Sequence, residues 1–166
     1  MVNNSGNNDA PVTNPADRLG VEWLKIRTTP TLTFADTGRF YDTVAPHEFI
    51  GGPESNGGPV NYYMATLSVN TNGDMVVGFS GSSSNEFVGA YFSGKSKDGA
   101  TPSQPIRFFG GKGPCWATRW GDYSATSLDP DGLTIWTIQE YAETGWHPGN
   151  PPFAYGTRIV AIKPCD

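Results

Sequence analysis

Two twelve-residue stretches, SVNTNGDMVVGF at 68–79 and SLDPDGLTIWTI at 127–138, align without a gap at a shift of 59 residues. An internal repeat at such a period restricts the fold more than any other feature of a chain, because each copy must form the same local structure. The shared skeleton is S-x-[ND]-x-[ND]-G. Asn and Asp bond their own backbone and tolerate left-handed geometry, and Gly73 and Gly132 supply positive φ at no steric cost. Ala65, Leu67 and Val69 alternate with Thr66, Ser68 and Asn70 before the first turn, and a β-branched and aromatic run follows each turn. Each copy therefore reads as strand, turn, strand.

LTIWTIQEYAE could place Ile135, Ile138 and Tyr141 on one helical face, but its β-branched residues lose rotamer freedom in a helix and its repeat partner MVVGFSGS is not helical. VGAYFSG at 88–94 and YGTRIVAI at 155–162 add a third strand to each copy. Upstream, VEWLKIR at 21–27 is a strand, and TLTF and RFYD form two more on either side of an ADTG turn. Residues 43–61 and 95–118, rich in Gly and Pro, read as connecting loops. About ten strands result, at the ~four per blade of a β-propeller.

The expected fold class is thus all-β, with two full propeller blades, near 60–100 and 119–163, and a partial one within 21–166. A closed propeller takes ~four to eight blades, so closure calls for homo-oligomerisation. Three chains of two blades are preferred, and a homodimer is the rival if the N-terminal strands complete a blade. Gly 21 and Pro 14 in 166 residues suit short strands and tight turns. A net charge of -5 offers no basic stripe, which argues against nucleic acid and anionic membranes as partners and favours a neutral or cationic ligand or a metal cation. Residues 1–20 read as a disordered polar lead-in without the apolar core of a signal peptide. Cys115 and Cys165 lack metal-site spacing. They are either a disulfide, closing a loop of about 50 residues and stabilising by ~4 kcal/mol, or two buried thiols.

YYMATLSVNTNGDMVVGFSGSS, FVGAYFSGK, RWGDYSATSLDPDGLTIWTIQEYA and YGTRIVAIKP, with VEWLKIR and GRFYD, resemble the C-terminal region of secreted bacterial sialidase-like propeller proteins of the BNR or Asp-box type. The resemblance runs from about residue 21 to the end, without the complete S-x-D-x-G-x-T-W pattern. It implies a secreted or periplasmic location, although no export signal is encoded here.

The first strand of a propeller blade lines the central channel. RWGDYS would bring Arg119, Asp122 and Ser124 there, once per subunit, and a ring of Asp122 carboxylates with Asn61 or Glu140 could hold Ca2+ through hard oxygen ligands. Alternatively, Asp122 pairs with Arg119 or caps backbone N–H groups. His47 and His147, beside Glu48 and Glu143 in Pro/Gly loops, are candidates for proton transfer together with Glu140, or are solvated loop residues. Most aromatic residues belong to a core; Tyr62, Tyr63 and Trp146, with Arg119, are candidates for a wall against a small-molecule or glycan ligand. No GxSxG, HExxH or P-loop is present. Two functions follow. The favoured one is a calcium-assisted hydrolase of small esters, lactones or phosphotriesters, by analogy with propellers that hold calcium in the pore. The alternative is a non-enzymatic carbohydrate-binding or adhesive module.

Overall fold

In a computed structural model, the structure describes residues 2–4, 18–42, 59–115, 120, 123–144 and 155–164. These are all-β, with no helix among them. Ten strands, β1 (Val2–Asn4), β2 (Leu19–Arg27), β3 (Thr33–Phe40), β4 (Asn61–Val69), β5 (Met75–Ser83), β6 (Glu86–Lys95), β7 (Ile106–Phe109), β8 (Ala125–Leu128), β9 (Ile135–Ala142) and β10 (Tyr155–Ile162), form three antiparallel sheets. The first is β1-β2-β3, the second the meander β4-β5-β6-β7, and the third β10-β9-β8. Val2–Asn4, within the lead-in, pair with Leu19–Val21.

The repeat forms the two hairpins that its turn residues dictate. Gly73 and Gly132 have φ of 92° and 75°, and each closes its turn by donating its N–H to the residue three before it, Asn70 at 3.0 Å and Asp129 at 2.9 Å. The gapless alignment needs one correction. The last strand pairs are Val69↔Met75 and Leu128↔Ile135, so the second loop carries one more residue and the shift becomes 60 beyond the turn. Asp131 takes up the extra length, its Oδ1 accepting the N–H groups of both Leu133 and Thr134 at 2.7 Å.

Two other expectations are corrected. The ADTG segment is not a turn, because β3 runs through it as one strand paired along β2, with Ala35 as the extra residue of a β-bulge between Lys25↔Asp36 and Ile26↔Phe34. Gly38 is there because the Trp23 indole lies across it; a Cβ would come within 2.8 Å of the ring. The stretch 95–118 is not all loop, since Ile106–Phe109 add a fourth strand to the second sheet by pairing with Ala90–Phe92.

The second sheet lies between the other two, which is why β5 is buried from Met75 through Gly81. Its odd-numbered side chains face the first sheet. Val77 and Phe79 join Tyr62 and Tyr91 against Val21, Trp23 and Phe40, with Tyr62 edge-on to Phe79 at 5.0 Å and to Tyr91 at 5.3 Å. Gly81 leaves room for both tyrosines, as its Cβ would sit 2.7 Å from one ring and 2.9 Å from the other. The even-numbered face meets the third sheet through polar groups. The hydroxyls of Thr66, Thr126 and Thr137 chain together at 2.8 Å each, and the Gln139 amide closes the ring on Thr66 at 3.2 Å and on Thr137 at 2.9 Å. The hydrogen bonds within this network offset the cost of burying its hydroxyls and amide nitrogen, while Gln139 Oε1 is buried without a partner among the described residues.

Candidate ligand cleft

The apolar core between the first two sheets is tight near Tyr62 and opens toward the β4–β5 turn. Leu67 and Val69 lie on the same inner face of β4 as Tyr62, across the bulge at Met64, whose φ is 54°. They are 48% and 45% exposed against 3% for Tyr62, so the first sheet has ceased to cover them. The gap is a cleft of about 150 Å³ lined by Trp23, Lys25, Asp36, Leu67, Val69 and Met75, with Lys95 and Lys97 at its edge. Three of the five lysines of this acidic chain thus border one cleft.

Lys95 is the sheltered one. Its ammonium lies 3.4 Å from the Asp36 carboxylate and 5.5 Å from the Trp23 ring centroid, with only 11% of the side chain exposed. Lys97 is rooted at the rim by its backbone N–H, which donates to Asp74 Oδ1 at 3.0 Å, and its stem packs where Gly73 lacks a side chain. Among the described residues, neither Lys25 nor Lys97 has a carboxylate within ion-pairing distance. The Trp23 Nε1–H is buried without a partner among them.

At the closed end, Tyr91 donates its hydroxyl to Glu86 Oε1 at 2.5 Å, and Arg107 pairs with the same oxygen. Burial, reinforced by the charges of Asp42 and Glu86 for Tyr62 and of Glu86 for Tyr91, pushes both phenols far above their ordinary value. These groups are structural: they sit within packed aromatic rings.

The residues singled out in the sequence are dispersed. His47, Arg119, Asp122, Trp146, His147, Glu48 and Cys165 lie outside the described residues. Cys115 is a half-buried free thiol. Tyr62 belongs to the core, while Tyr63 turns to the other face and bonds Ser82 Oγ at 2.9 Å. There, Trp120 donates its indole N–H to Ser80 at 3.2 Å, and Ser80 donates to the Glu140 carbonyl at 3.4 Å. Asn61 and Glu140 serve different sheets. Asn61 Oδ1 accepts the Leu19 N–H at 2.8 Å, tying β4 to β2, and Glu140 is buried on β9. No group of three or more His, Cys, Asp or Glu side chains suited to a metal occurs among the described residues. Glu143 is engaged with Lys112 at 2.8 Å and Tyr141 at 2.6 Å.

Sequence reasoning missed the cleft because Lys25 comes from β2 of the first sheet, and Lys95 and Lys97 from the end of β6 and the turn after it. The available signal was parity: Trp23 and Lys25 fall on one face of β2, as Leu67 and Val69 do on β4. No protein-family model, no curated protein and no solved structure matches this chain.

Proposed function

We propose that the chain is a non-enzymatic binding module, a stack of propeller-blade sheets completed by further copies of itself, with the cleft between the first two sheets as its ligand site. The observation that carries this reading is the face-to-face stacking of the two repeat copies, the second sheet against the third, through polar contacts. Ser124 Oγ donates to the Met64 carbonyl at 3.1 Å, Thr126 bonds Thr66 at 2.8 Å, and Ser80 Oγ donates to the Glu140 carbonyl at 3.4 Å, each pair 60 residues apart. Stacking of successive copies of one repeat is how repeat architectures build a continuous core.

Both ends of the stack support completion by copies. Leu24, Ile26 and Phe34 cover the outward face of the first sheet and are 45%, 49% and 78% exposed. Trp136 and Ile159 do the same on the third, at 43% and 62%. Terminal repeats that face water carry polar caps, whereas the outer face of the first sheet sets its large apolar side chains beside the Glu22–Arg39 pair. A head-to-tail contact joining the two faces would close into a ring, with three copies as the preferred count.

Light scattering on the purified chain is expected to give a discrete oligomer that Phe34→Glu or Ile159→Lys reduces to one chain with an unchanged circular dichroism spectrum. A wild-type mass of one chain overturns self-completion. On the same preparation, aryl ester and phosphotriester turnover is expected to be absent. Turnover abolished by EDTA and restored by calcium would replace the binding reading with the calcium-assisted hydrolase.

A further inference from the structure

We infer that the cleft takes a small aryl monocarboxylate, its carboxylate held between Lys25 and Lys97 and its ring laid on Leu67, Val69 and Met75. This names the ligand class of the site proposed above and rests on that reading.

Charge comes first. The chain is net -5, yet three lysines and one carboxylate, Asp36, line the cleft, and that carboxylate pairs with Lys95 at 3.4 Å. Asp74, in the β4–β5 turn, accepts from Asn70 Nδ2 at 3.0 Å and from the Lys97 backbone N–H at 3.0 Å. Two cations at the rim of an otherwise acidic protein focus the local field on an anion and leave its charge uncompensated until one arrives. A single carboxylate matches this pair better than a phosphate dianion, whose second charge would face Asp36 and Asp74.

Shape and apolarity come second. Leu67 and Val69 are nearly half exposed on the face of β4 that is otherwise buried, and Met75 closes the floor beside them. A volume of about 150 Å³ matches cavities known to take a benzene-sized body, and is well below the ~300 Å³ where sites for larger ligands begin. The Trp23 ring is already shielded by Lys95, so it offers no open platform for stacking a sugar. The apolar part of the ligand therefore meets aliphatic side chains.

Phenylacetate titrated into the full-length 15N-labelled protein is expected to shift the Trp23 indole and the amides of 67–69 and 95–97, saturating with a Kd of ~0.1–1 mM, as befits about ten non-hydrogen atoms. Phenylacetamide, the same shape without the charge, should bind at least tenfold more weakly. The Lys25→Gln/Lys97→Gln double variant should bring the acid down to the level of the amide, and Lys112→Gln, outside the cleft, should leave it unchanged. Equal binding of acid and amide, or acid binding indifferent to the double variant, overturns the inference. If methyl glucoside shifts these resonances and phenylacetate does not, the cleft is a binding site but not for acids. If no probe shifts them, both this inference and the cleft as ligand site fall.

Discussion

Thr66 and Thr126, 60 residues apart in the chain, share a hydroxyl hydrogen bond of 2.8 Å between the second and third sheets. The bond joins the first strands of the two repeat copies, one residue out of register, and Thr137 and Gln139 complete the ring around it. Valine keeps the shape of threonine but removes the hydroxyl. Thr66→Val and Thr126→Val should each destabilise the chain in urea unfolding, since each strands buried partners. A double-mutant cycle should return a coupling of about 0.5–1.5 kcal/mol. A coupling indistinguishable from zero would mean that the sheets are held by shape alone.

Gly78 faces this ring, and a Cβ there would occupy the space of Thr137 Oγ1 and the Gln139 amide nitrogen. Neither group can retreat without breaking its own hydrogen bonds. Gly78→Ala is expected to cost about 1–3 kcal/mol, as overpacking does. Gly110→Ala, whose Cβ would meet the Arg107 guanidinium at 3.7 Å, an ordinary van der Waals contact, should fall within ~0.5 kcal/mol of wild type. The two variants differ by one methyl group each, so equal midpoints would refute the packing at Gly78.

The hairpins were legible because their determinants are local: an Asn or Asp to bond the backbone, and a glycine to turn it. What the sequence hid depends on partners distant in the chain. The four-residue strand Ile106–Phe109 sits between Pro105 and Gly110 and exists because β6 offers an edge. Asp36-Thr37-Gly38 looks like a turn unless the Trp23 indole across the strand is known. The extra residue after Gly132 is invisible to a gapless alignment because the turn residues before it match. The cleft escaped for the same reason, as Lys25 and Lys97 belong to segments on either side of it. The all-β class and the non-helical character of Ile135–Ala142 could be read directly.

Tyr62 and Tyr91 should remain protonated for as long as the chain is folded. Burial is the main cause for both, with the charge of Asp42 next for Tyr62 and that of Glu86 next for Tyr91. Unfolded, the same phenols release their protons near 10. A raised folded pKa gives stability that is complete below the unfolded value and declines as pH climbs past it. Urea midpoints should therefore fall above pH 10, less steeply in Tyr62→Phe and Tyr91→Phe. Phenolate absorbance at 295 nm should show two tyrosines ionising only with unfolding. Ionisation of all seven tyrosines while circular dichroism remains native would contradict the buried placement.

Glu143 carries the acid-side counterpart. The Lys112 ammonium, then the Tyr141 hydroxyl, hold its carboxylate down to about 2, well below the ordinary value of 4.5. A depressed folded pKa contributes stability that is present above the unfolded value and disappears as pH falls toward the folded one. The window is therefore from about pH 4.5 down to about 2. The carboxylate is solvated, so the effect is modest and screened by salt. Glu143→Gln should melt below wild type at pH 6, with the gap narrowing through this window and shrinking in high salt at pH 6. A gap that stays constant from pH 6 to pH 2 would mean that glutamine disturbs the packing of Phe109 on Tyr141, whose rings lie 4.4 Å apart, rather than the charge beside them.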